Sequence, residues 1–184
     1  MKGLMKFVKV LAKVFEVFHW VGAGLMAATA VCSLVAAERI GRFIDISDLG
    51  SNPEISTYGF ETTLTNAAGE INMTTLFLFA IGSVIIYALV AMIFRNIYLI
   101  LKRSESETPF NKDNVRMVKE IGIFSIAVPV IGLIMSTILR LVVGVDMIET
   151  SVNLEGFAVG LIILSLTQFF AYGTRLEKEV DGLL

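Results

Sequence analysis

"MTTLFLFAIGSVIIYALVAMIF", residues 73–94, decides the fold. It holds 22 residues without a charge. A helix rises about 1.5 Å per residue, so about 20 apolar residues cross a hydrocarbon core roughly 30 Å thick. Three further segments meet the same condition: "VFHWVGAGLMAATAVCSLVAA" at 17–37, "IGIFSIAVPVIGLIMSTIL" at 121–139 and "GFAVGLIILSLTQFFAYGT" at 156–174. The whole chain agrees with them. Of its 184 residues 55% are hydrophobic and 17% charged, where soluble domains carry about 25% charge. The expected fold class is an all-α integral membrane protein, a single membrane domain over 1–184. Four transmembrane helices form an antiparallel bundle.

The first span follows Lys2, Lys6, Lys9 and Lys13, and Ala28-Thr29-Ala30 imitates a cleavage site. Its apolar run exceeds that of a signal peptide, and Val31 stands before Cys32 where a lipoprotein signal needs a small residue. It reads as a retained span. Lysine and arginine excess marks the cytoplasmic side of a membrane protein. With the N-terminus inside, 12 of the 15 lysines and arginines lie inside, and only Arg39, Arg42 and Arg140 lie outside. Both termini are therefore expected in the cytoplasm. Residues 38–72 become a 35-residue external loop, and 102–120 the cytoplasmic loop.

Several functions find no support. A net charge of −2 gives no reason to expect nucleic acid as a direct ligand. The single cysteine, Cys32, precludes an internal disulfide and a cysteine metal cluster. No glycine-rich phosphate loop, His-Glu-x-x-His or serine elbow is present. The expectation is no enzyme, no cofactor and no metal.

The external loop contains "ISTYGFETTLTN", in which Tyr58, Phe60, Thr62 and Leu64 alternate with Gly59, Glu61 and Thr63. Period two predicts a short strand or β-hairpin, with turn chemistry at Ser51-Asn52-Pro53 before it and at Asn66 to Gly69 after it. The connection 140–155 is short, so the third and fourth spans are expected to pack as an antiparallel pair.

On the cytoplasmic side, Lys2, Lys6, Lys9, Lys13 and Glu16 share one helical face, with Leu4, Phe7, Val8, Leu11 and Phe15 largely off it. A helix of this kind can lie on the anionic leaflet. A topology anchor merging into the first span explains the lysines more simply. In the loop, Pro109 should stop the preceding helix. Asn111 should cap the next, with Asp113 complementing its dipole and Phe110 plugging the inner end of the bundle. Arg116 and Glu120 form an i,i+4 pair. The tail "GTRLEKEVDGLL" also has a helical pattern, with Gly182 as its C-cap.

"ETPFNKDNVRMVKEIG" (107–122), followed by "FFAYGTRLEKEVDGLL" (169–184), resembles the domain-of-unknown-function family 2975, small bacterial membrane proteins with four predicted spans. Pro109, Phe110, Asn111, Asn114 and Val115 match as signature positions. The resemblance implies no catalytic activity and no cofactor. It implies a bacterial inner-membrane location and a regulatory setting, often beside a small helix-turn-helix regulator.

Ionisable groups beside spans draw attention. His19 and Glu16 are the candidates for pH sensitivity, against an interfacial Glu-His-Trp cluster with Trp20 at headgroup depth. Pro129 is the candidate hinge of the third span. Ala23/Ala27, Gly24/Ala28 and Gly156-x-x-x-Gly160 permit close helix approach, within one chain or in a homo-oligomer. The expected function is that of a non-enzymatic, sensory or regulatory membrane protein. It would engage a cytoplasmic regulator through 102–120 and the tail, with Phe110, Asn111, Asn114, Arg116 and Lys119 as the partner face. The alternative is a channel or transporter subunit, with Ser83, Ser136, Ser165, Thr167 and Gln168 facing an inter-subunit axis.

Overall fold

A computed structural model describes residues 2–36, 53–66, 70–105, 108, 110–144 and 154–181, apart from the side chains of Lys2, Lys178, Val180 and Asp181. Its elements are α1 (Lys2–Val35), β1 (Glu54–Thr57), β2 (Phe60–Thr63), α2 (Met73–Arg103), α3 (Lys112–Val143) and α4 (Leu154–Asp181). All four helices are long and apolar enough to cross a membrane. Each runs past the apolar segment that predicts it, because polar residues supply the extra turns. Asn72 caps α2, its Oδ1 accepting from the backbone N–H of Thr74 and of Thr75 at 3.1 and 3.2 Å. Asn111 caps α3 as expected, accepting from the N–H of Asp113 at 2.7 Å. α3 continues unbroken through the buried Pro129. The expected C-cap Gly182, the turn residues Ser51, Asn52 and Ala67 to Gly69, and Pro109 lie outside the described residues.

The chain forms two compact units. The first comprises Met1–His19, Leu89–Ala127 and Leu154–Leu184. Its helices are antiparallel neighbours in chain order. Lys9 meets Glu105 and Phe15 meets Phe94 between α1 and α2. Asn96 meets Glu120, and Arg103 meets Asp113, between α2 and α3. α3 and α4 meet through glycines. A methyl at residue 160 would stand 2.5 Å from Ile126 Cγ1 and 3.0 Å from the Gly122 carbonyl oxygen. Gly160 therefore serves contact within the chain. In lipid, where apolar burial drives little helix association, such close backbone approach supplies the dispersion contact.

The second unit comprises Trp20–Ala88 and Val128–Asn153. Here β1 and β2 pair antiparallel, Thr57 opposite Phe60. The predicted period two holds along β2, with Phe60 and Thr62 buried and Glu61 exposed. Tyr58, however, is no strand residue. With Gly59 it makes the hairpin turn, at φ 50° and 81°. Positive φ at both turn residues matches the right-handed twist of the strands. The decisive turn thus lies inside the alternating run rather than at its flanks. Phe60 is fully buried. It stacks on Phe79 at 5.0 Å between centroids and fills the space that Gly82 and Gly132 leave open.

Candidate functional site

The polar side chains of the first unit begin on α1. Two lysines of this helix, Lys9 and Lys13, find partners within the chain. Lys9 Nζ bonds Glu105 at 2.5 Å. Lys13 Nζ donates to Glu16 Oε2 at 2.9 Å and stands 5.3 Å over the Tyr98 ring. Lys6 and Lys13 remain exposed, as do the apolar Leu4, Phe7, Val14 and Phe18. A charged helix face needs water or partners. Glu105 and Tyr98 of the α2 segment provide them, so the apolar face can meet lipid. The Lys9 hydrogen bond, opposed by partial burial and assisted by nearby lysine charge, holds the Glu105 carboxyl below its ordinary range.

The expected Glu-His-Trp cluster divides. Glu16 and His19 are buried, while Trp20 is exposed. His19 Nδ1 lies 2.7 Å from the carbonyl oxygen of Phe15. A carbonyl only accepts, so Nδ1 carries the proton. The ring also stacks on Phe94 at 5.4 Å and meets Phe18 edge-on. Aromatic rings thus flank His19, and Lys13 holds its neighbour Glu16.

Asn96 on α2 donates to Glu120 Oε2 on α3 at 3.0 Å, and Arg116 Nε lies 3.4 Å from the other oxygen of the same carboxylate. Asn96, 4% exposed, is absent from the sequence-based candidates because nothing in its local spacing reveals that Glu120 faces it. Of the five candidates for a partner face, Asn114 is fully buried and belongs to the interior. Phe110, Arg116 and Lys119 are exposed, and Asn111 is half-buried at its cap. Lys112, Arg116 and Lys119, spaced four and three apart, make an exposed basic stripe on the first turns of α3.

What holds this stripe in place is the connection before it, which is fastened to α4. The Phe110 ring lies 5.7 Å from that of Phe170 and against Gly173. Thr174 Oγ1 bonds the Phe110 carbonyl oxygen at 2.5 Å, and Thr108 Oγ1 donates to Glu177 at 3.0 Å. Phe110 is the expected plug, seated specifically on α4. The sequence contains a signal for this seat: Gly173 follows Phe170 by one turn at the level where the loop must return.

In the second unit Ser83 and Ser136 are buried, and Pro129 is buried within α3. Thr167, in the first unit, is buried as well, whereas Ser165 and Gln168 are exposed. Three of the five polar residues that an inter-subunit axis would use therefore face the interior of the chain. Among the described residues no group of three or more His, Cys, Asp or Glu side chains converges as a metal site.

Four long apolar helices, polar at their ends and closed by a fastened loop, define a multi-pass membrane protein. Residues 50–182 match the model of the family described as "Protein of unknown function (DUF2975)", and the chain belongs to that family. α1, which carries Lys9, Lys13, Glu16 and His19, precedes the matched residues. No curated protein and no solved structure matches the chain.

Proposed function

We propose that this chain is a non-enzymatic, regulatory protein of the bacterial inner membrane. Both its termini lie in the cytoplasm, and its cytoplasmic end is a docking platform for a soluble regulator. The observation that carries this reading is the fastening of the α2–α3 connection onto α4. Phe110 on Gly173 and Thr108 on Glu177 set the basic stripe on an anchored base. A preorganised surface binds without the cost of ordering a loop. Arg116 and Lys119 are solvated cations, suited to an acidic patch on a partner. A helix-turn-helix regulator is the partner that the family resemblance implies.

Co-purification from membranes tests this reading. The wild-type chain retains the regulator, and Arg116→Glu with Lys119→Glu loses it while Lys6→Glu does not. Equal recovery with all three proteins refutes the platform.

A further inference from the structure

α4 uses one face within the chain and leaves another uncovered. Gly160 and Thr167 are buried on the α3 side. Leu161, Ser165, Gln168, Tyr172, Arg175 and Glu179 are all exposed and recur at alternating steps of four and three. That is the 3.5-residue period of a left-handed helix seam.

Gln168 decides what covers the seam. It lies seven residues, about 10 Å of helix rise, before Arg175, and so within the apolar part of the span. The neighbouring hydroxyls are satisfied inside the helix, Ser165 by the Leu161 carbonyl at 2.9 Å and Thr167 by that of Ile163 at 3.0 Å. The Gln168 amide has two N–H donors and a carbonyl acceptor. No described residue of the chain hydrogen-bonds to it. Lipid tails offer neither donor nor acceptor, so an amide facing them is costly.

We propose that a second copy of this chain covers the seam, forming a parallel two-fold α4 pair joined by reciprocal Gln168 hydrogen bonds. An amide is self-complementary, donating and accepting at once. Two copies inserted in the same direction bring Gln168 opposite Gln168, as an isologous interface requires. Past the apolar section, Arg175 faces its equivalent in water, and Glu179 of each copy, one turn on, supplies a diagonal counter-charge. The small side chain of Ser165 lets the helices approach one turn further out. This pairing uses residues of α4 other than Gly173, Thr174 and Glu177, which anchor the cytoplasmic platform.

The test is disulfide cross-linking of the full chain in native membranes, in a Cys32→Ala background. Ser165→Cys, Gln168→Cys and Tyr172→Cys are expected to give dimers on oxidation. Val159→Cys and Leu166→Cys, exposed on the far side of α4, are expected to stay monomeric. Equal yields at all five positions, or none at residue 168, overturn the proposal. In detergent micelles Gln168→Leu keeps an apolar surface and should raise the dimer dissociation constant about 3- to 30-fold. An unchanged constant removes the amide as the link, and a monomeric wild-type protein overturns the pairing altogether.

Discussion

The Phe110 ring lies directly over the α-carbon of Gly173, so that a methyl group there would stand 2.6 Å from ring carbon Cδ1. The loop between α2 and α3 is seated by the absence of a side chain on α4. Gly173→Ala should therefore push Phe110 off its seat and destabilise the protein by about 1–3 kcal/mol, the usual cost of overpacking. Phe110→Ala in the same chain removes the clash. Thermal unfolding in detergent of the two single variants and the double variant checks this: the double variant should be less destabilised than the sum of the singles.

The hairpin hangs on Phe60. Phe60→Ala removes a fully buried ring from between Phe79, Gly82 and Gly132, and is expected to cost about 3–5 kcal/mol. Local release of the hairpin should make Thr57 and Thr62, both buried, reachable. Thiol labelling of Thr62→Cys should rise sharply in the Phe60→Ala background and stay slow without it.

Asn96 and Glu120 join α2 to α3 through one amide–carboxylate hydrogen bond. Asn96→Leu leaves that carboxylate oxygen without its donor and should cost about 1–3 kcal/mol. Asn96→Gln can restore the donor through a longer side chain. A loss of equal size in both variants would show that residue 96 matters by volume alone.

Acid should loosen α1. Glu105 has an ordinary value of 4.5 and is lowered in the folded chain, chiefly by its hydrogen bond to Lys9. A lowered carboxyl pKa stabilises the fold above the unfolded value, and the contribution is lost as pH falls through the folded value. The protection of residues 3–10 against hydrogen exchange, relative to the intrinsic rate at each pH, should be constant from neutral pH down to that window and then fall. Glu105→Gln should show low protection throughout and no step.

Orientation is open to a direct measurement. In a Cys32→Ala background, Lys112→Cys should resist an impermeant thiol reagent in intact cells and react after lysis. Glu61→Cys should react in both. Both residues are exposed, so access depends on the membrane alone. The reverse pattern would invert the topology and remove the cytoplasmic platform.

Much of this architecture was written locally. Met73 begins both the apolar run and α2, and Asn111 caps α3, because transfer of apolar residues into lipid and capping of a first turn depend on neighbours in the chain. The alternation of Phe60, Glu61 and Thr62 likewise reported a half-buried strand. Long-range partners were not legible. The lysine face of α1 has the pattern of a leaflet-binding helix, and nothing in its spacing reveals that Glu105 and Tyr98 engage Lys9 and Lys13. Asn114, beside Asp113, reads as part of the partner face and is fully buried.

The sequence by itself determined that four helices are long and apolar enough to cross a membrane, where α2 and α3 begin, and which ends carry the charge, since hydropathy and capping act over one or two turns. Only the tertiary structure decided which face of each helix is covered. Gly160 against Gly122, Phe110 on Gly173 and Phe60 between Gly82 and Gly132 are contacts in which a missing side chain admits a distant one. A glycine in a sequence does not say what will occupy the space it leaves.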